Sequence, residues 1–146
     1  MRLKREEVTI FRAPTTRKNI RYRVRALVKR SQGDEGRELI EVIAKKVNAV
    51  KQGKVIIYCN SVARTKQVAE DLGCDAYFHD AERKAEKMRM WREGKEPVIV
   101  ATSALGMGLD IPDIRLIIHV DWPRTLLDYA QAVSYTHLTL PTNREV

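Results

Sequence analysis

Apolar residues fall in short runs with amphipathic stretches between them. Residues 55–59 (V-I-I-Y-C), 74–78 (C-D-A-Y-F), 97–101 (P-V-I-V-A) and 115–120 (R-L-I-I-H-V) match strands in length. The 55–59 run is apolar at every position and has helical patterns on both sides. That predicts a central parallel strand buried on both faces. Residues 37–51 place Leu39, Ile40, Ile43, Val47 and Val50 at helical spacing, and Gly53 ends that helix. A second helix follows Ser61, a good N-cap, with Val62, Thr65, Val68, Ala69 and Leu72 on one face and Gly73 as its stop. Ala81, Ala85, Met88 and Trp91 mark a third, ended at Gly94. Further upstream, Ile20, Tyr22, Val24, Ala26 and Val28 alternate with Arg21, Arg23 and Arg25, which predicts a half-buried strand with an arginine row outward.

Strands alternating with helices call for an α/β domain: a three-layer α/β/α sandwich on a mainly parallel sheet, with right-handed crossovers. The expected organisation is a basic lead-in over 1–19, the domain over 20–131, and a tail over 132–146 set apart below. The length of 146 residues suits one domain. No apolar run approaches the ~20 residues of a membrane-spanning helix, so no membrane partner is expected. The charged N-terminus does not read as a secretory signal. Cys59 and Cys74 lack C-x-x-C spacing and read as buried free thiols.

Charge changes the picture by its placement. Net charge is +8, yet residues 1–30 hold 11 Lys/Arg against 2 Asp/Glu, and residues 31–146 hold 16 against 17. A basic leading segment on a nearly neutral domain is the pattern, rather than a uniformly basic binding protein.

In open α/β sheets, function gathers in the loops at the carboxyl ends of the strands. Three such loops carry candidate chemistry. Asn60-Ser61 enters a helix with Arg64 in its first turn; exposed N–H groups, a hydroxyl and a cation suit a phosphate, and a plain N-cap with solvated charge fits the same residues. Residues 101–113 (A-T-S-A-L-G-M-G-L-D-I-P-D) place the hydroxyls of Thr102 and Ser103 before Gly106 and Gly108, where backbone can approach a ligand closely, and Asp110 can accept from a ribose hydroxyl. Gly-x-Gly by itself fits a tight turn as well. The third loop, His119-Val120-Asp121-Trp122-Pro123-Arg124, leads toward Tyr129 and Gln131; a lone histidine at a strand end is more often structural than catalytic. No G-x-x-x-x-G-K-[ST] loop occurs in these residues, so a nucleotide would find only one wall of its site here.

Taken in order, these pieces resemble the second RecA-like lobe of a superfamily 2 DNA helicase of the RecQ-like type, with the RecQ-related helicases of fungi closest in flavour. Residues 54–61 (K-V-I-I-Y-C-N-S) resemble motif IV, 98–113 resemble motif V, and 114–131 resemble the run into motif VI; residues 12–24 resemble the entry into this lobe. The resemblance implies a DNA helicase acting 3′ to 5′, with ATP and Mg2+ used by the full-length family. It implies Gly106, Gly108 and Asp110 at the nucleotide cleft, and Asn60, Ser61, Arg64, Thr102 and Ser103 on the backbone of a tracking strand. The partners it implies are single-stranded and duplex DNA and an N-terminal RecA-like lobe missing from this chain, in a nucleus. After Gln131 the family pattern Gln-Glu-x-Gly-Arg-Ala-Gly-Arg is replaced by A-V-S-Y-T-H-L-T-L-P-T-N-R-E-V. That tail resembles translated vector read-through and is set apart from the fold. With neither phosphate loop nor arginine finger, the expectation is a fragment without catalysis of its own. The alternative is a stand-alone, non-catalytic nucleic-acid-binding module.

Overall fold

The computed structural model describes residues 20–21, 23–25, 34–106, 111–121 and 144–145. The lead-in 1–19, residues 26–28 of the expected first strand, Gly108, Asp110, the stretch with Tyr129 and Gln131, and residues 132–143 lie outside the described residues.

The elements follow the apolar pattern closely. They are β1 (Ile20–Arg21), α1 (Asp34–Ala49), β2 (Lys54–Tyr58), α2 (Val62–Leu72), β3 (Asp75–Tyr77), α3 (Lys84–Arg92), β4 (Val98–Ala101), a 3-10 turn (Ser103–Gly106), β5 (Ile114–His119) and β6 (Arg144–Glu145). They form one sheet in the order β1-β6-β5-β2-β4-β3, and every pair is parallel. The chain moves from β2 through α2 to β3, returns through α3 to β4 between them, then crosses β2 to reach β5 on its far side. This is the α/β/α sandwich expected from the alternation.

Burial divides along β2 as the pleat requires. Val55, Ile57 and Cys59 face α1 and α2, packing with Ile43, Val68, Ala69, Val100 and Leu116. Ile56 and Tyr58 face the other side with Tyr77, Trp91, Ile99, Leu105, Ile111 and Ile117, and Met88 of α3 packs on that cluster. The indole N–H of Trp91 donates to the Pro97 carbonyl (3.2 Å), so the largest core side chain leaves no buried donor unmet.

Three expectations shift. First, α1 begins at Asp34, three residues before the helical pattern read over 37–51, and so includes Gly36. A helical glycine costs about 1 kcal/mol, whereas one buried aliphatic side chain such as Ile43 contributes about 1.5–3 kcal/mol; packing outweighs propensity. Second, the first strand is shorter than its alternation suggests. Among its described residues only Ile20 and Arg21 pair, with Arg144 and Glu145, and Val24, expected on the inner face, is 85% exposed. Alternation makes a strand only where a neighbouring ladder exists, and among the described residues β6 offers two residues of one. Third, residues 144–145, in the tail set apart from the fold, pair with both β1 and β5. A sheet edge is joined through backbone groups, which any sequence supplies. Among the described residues no helix is long and apolar enough to cross a membrane.

Candidate nucleic-acid and nucleotide site

Because all strands run parallel, the carboxyl ends of β2, β4 and β5 come together at one sheet edge. Backbone bonds tie the ends laterally. Cys59 N–H donates to the Ala101 carbonyl (2.9 Å), Val120 N–H to that of Tyr58 (2.9 Å), and Thr102 N–H to that of Tyr77 (3.1 Å).

At the β2 loop, Ser61 is the N-cap of α2, as read from the sequence. Its backbone is extended, and its hydroxyl accepts from Arg64 N–H (3.2 Å). The hydroxyl of buried Thr65 donates to the Ser61 carbonyl (2.8 Å). The capping role of Ser61 is thus realised, and the hydroxyl still lies exposed at the sheet edge. Gly73 closes the same helix in the left-handed region, its N–H on the Ala69 and Glu70 carbonyls.

Asn60 and Arg64 meet Asp121, a residue of the third candidate loop to which the sequence assigns no role of its own. Asn60 N–H donates to Asp121 Oδ2 (3.1 Å), and Arg64 Nε lies 3.4 Å from Asp121 Oδ1. One carboxylate from the end of β5 thus bridges to the β2 loop. The pair is partly solvated, with Arg64 48% and Asp121 28% exposed, which puts its worth at about 0–1 kcal/mol. Its consequence is electrostatic: the one charged candidate in the β2 loop has its charge offset locally. Asp121 stands directly after an apolar run, in a strand-end loop, and those are its sequence signals. That β5 lies beside β2 is what makes it matter.

At the β4 loop, Thr102 is half-buried and Ser103 is exposed. Ala104 N–H points at the Thr102 hydroxyl (3.4 Å), and Leu105 N–H donates to the Thr102 carbonyl (3.1 Å), which winds the turn ending at Gly106. Leu105 and Ile111 are both buried in the core on the α3 face. Asn60, Ser61, Arg64, Thr102 and Ser103 therefore share one edge, and Gly106 follows directly.

Two further groups at this edge are inert by burial. Burial pushes the Cys59 thiol up to about 11, with Asp121 adding to the rise, so it is neither a thiolate nucleophile nor a ready ligand. The ring of His119 stacks on Tyr58 (centroids 5.3 Å, 18° between planes), and burial lowers its pKa. It is a neutral packing residue, the structural alternative for a lone histidine. Among the described residues, no three His, Cys, Asp or Glu side chains assemble as a metal-holding group.

The helicase conserved C-terminal domain family matches residues 36–137. The chain belongs to that family. This helicase domain is 35% identical over 131 residues to a putative ATP-dependent DNA helicase Q1 of Caenorhabditis briggsae, covering 84% of the chain and 20% of that protein. It is 34% identical over 134 residues to the ATP-dependent DNA helicase Q1 of Pongo abelii, covering 86% and 20%. The domain spans about a fifth of the length of these curated relatives. Among solved structures it resembles the Mycobacterium smegmatis helicase Lhr, determined bound to ssDNA and AMP-PNP, with a TM-score of 0.73 and 18% identity over 87% of this chain and 19% of that one. That likeness establishes the RecA-like helicase fold. The family match runs beyond residue 131, into the stretch that the sequence sets apart.

Proposed function

We propose that this domain is the C-terminal RecA-like lobe of an ATP-dependent DNA helicase of the RecQ type, which translocates 3′ to 5′ in a nucleus together with a first lobe outside these 146 residues. The observation that carries the reading is the meeting of the β2 and β4 loops at one sheet edge, in a chain of this family. There Asn60, Ser61, Thr102 and Ser103 present amides and hydroxyls to a strand's phosphates, which grips DNA without reading its bases. Arg64 supplies a cation once Asp121 yields it. Gly106, Gly108 and Asp110 would contact ATP. The 3-10 turn joins directly to the Thr102-Ser103 contact, so nucleotide occupancy and strand grip share one short segment.

The 146 residues contain neither a G-x-x-x-x-G-K-[ST] loop nor a Gly-Arg pair after Gln131. In this reading ATP and Mg2+ are held jointly with the first lobe. An arginine finger alone is worth roughly 10³–10⁵ in rate, so the isolated chain should bind single-stranded DNA without turning over ATP. The test is DNA-stimulated phosphate release beside oligonucleotide binding. We expect binding that weakens in Thr102→Ala/Ser103→Ala, with phosphate release at background. Steady turnover by the isolated chain, or binding indifferent to that double substitution, overturns the reading.

A further inference from the structure

The loop cluster leaves an electrostatic shortfall. A nucleic-acid strand is a polyanion, and its affinity comes largely from cations that displace counterions. Yet the β2 and β4 loops offer neutral hydroxyls and amides plus Arg64, whose guanidinium faces Asp121. On the β3 side of the same edge, Lys66 and Lys84 are drawn over the rings of Phe78 and Tyr77, each 5.1 Å from the centroid. Residues 31–146 together carry slightly more acid than base.

The missing charge lies at the other flank. β1 is parallel to β6, and β6 to β5, so the chain leaves β1 toward the same sheet edge as the candidate loops. Arg21 and Leu116 both pair with Glu145, which puts Arg21 three residues short of the level at which β5 ends at His119. Arg23 and Arg25 follow at once, and Arg21, Arg23 and Arg25 are all exposed. Val24 between Arg23 and Arg25 is 85% exposed, so residues 23–25 are not buried against the domain. At ~4.8 Å per strand, β1 stands about 10 Å from β5 and about 14 Å from β2, within the span of a few nucleotides.

We infer that Arg21, Arg23 and Arg25 form a phosphate-contact row that extends the strand-end surface across the sheet, so that a single strand held at the β4 and β2 loops continues over β5 toward β1. The identity of the ligand rests on the nucleic-acid reading of the loop cluster. The row acts by charge: it tracks the backbone, reads no bases, and supplies the salt-dependent part of the affinity, while the loop hydroxyls supply the salt-independent part.

The experiment is fluorescence anisotropy of labelled oligo(dT) with the full chain across a salt series. Each phosphate contact in a single strand contributes about 0.7 to the slope of log affinity against log salt. Arg21→Ala/Arg23→Ala/Arg25→Ala should therefore flatten the slope by about 2, and lysine at all three positions should restore it. Lys45→Ala/Arg89→Ala/Arg92→Ala removes equal charge from exposed positions on α1 and α3 and should leave the slope unchanged. Equal flattening in both triple variants, no flattening in the first, or no binding by the unaltered chain at low salt overturns the inference. The Thr102→Ala/Ser103→Ala variant separates the two claims. If it binds normally while the arginine variant loses its slope, the loop reading fails and the arginine row stands. If the loop variant weakens binding and the arginine variant keeps the full slope, the reverse holds.

Discussion

At Gly53 the backbone runs at φ +97°, and a Cβ there would meet the Arg115 side chain and lie 2.8 Å from the Asp113 carbonyl oxygen. The neighbours cannot give easily. That carbonyl accepts from Lys54 N–H (2.8 Å), and Arg115 is paired with Asp113 at 2.7 Å. Gly53→Ala combines a disfavoured φ with a backbone clash, so its cost should exceed the ~1 kcal/mol of strain alone and reach roughly 2–3 kcal/mol in urea unfolding. A midpoint equal to that of the unaltered chain would show that the turn relaxes freely. His119 gives a second test at this scale. Burial lowers its pKa in the folded state, so the unfolded chain takes up the proton first as pH falls. The stability this neutral ring contributes is present above the ordinary histidine value of about 6.5 and lost below it. His119→Gln should therefore flatten the fall in urea midpoint between pH 7 and pH 5 relative to the unaltered chain. An identical pH profile in both would remove His119 from that fall.

Between elements, the contact that matters most is the one from the end of β5 to the start of α2. Asp121 fixes the Asn60 amide and the Arg64 guanidinium together. Asp121→Ala should cost only about 1 kcal/mol globally, since the pair is partly solvated. Its local effect should be larger: amide exchange at Asn60 accelerates, while that of Cys59, bonded to Ala101 within the sheet, stays slow. Unchanged exchange at Asn60 would mean that the loop is held by other contacts. The elements themselves were largely readable. Ser61, Gly73 and the V-I-I-Y-C run declare a cap, a stop and a central strand by local chemistry alone. The bridge was not, because Asp121 and Asn60 are 61 residues apart and share no pattern. The first strand misread for a related reason: alternation records which face is apolar, and whether a partner ladder exists lies elsewhere in the chain.

For the whole molecule, the lateral edges of the sheet are the liability, since an unpaired edge strand is a template for pairing with another chain. β3 is the edge opposite β1, and the carbonyl of Ala76 there accepts from Lys87 Nζ of α3 (3.2 Å), while the Phe78 carbonyl accepts from Ala81 N–H (3.2 Å). Outward acceptors of that edge are thus occupied from within the chain, one of them by a lysine, a common guard against edge pairing. Lys87→Met keeps most of the side-chain length and removes the donor. It should raise concentration-dependent self-association in sedimentation velocity, and a distribution identical to that of the unaltered chain would show that the edge is guarded otherwise. Local patterns along the chain suffice for the element types, the caps and the two-faced burial of β2, because each depends on residues a few positions apart. The sequence also carried the family, through apolar runs and strand-end residues in a fixed order. The order of the strands, the meeting of Asp121 with Arg64, and the emergence of the arginines after β1 at the same end of the sheet as the loops of β2 and β4 come from the packed fold. Pairing of parallel strands is set by how the crossovers pack, and an apolar run reads alike at any interior position of a sheet.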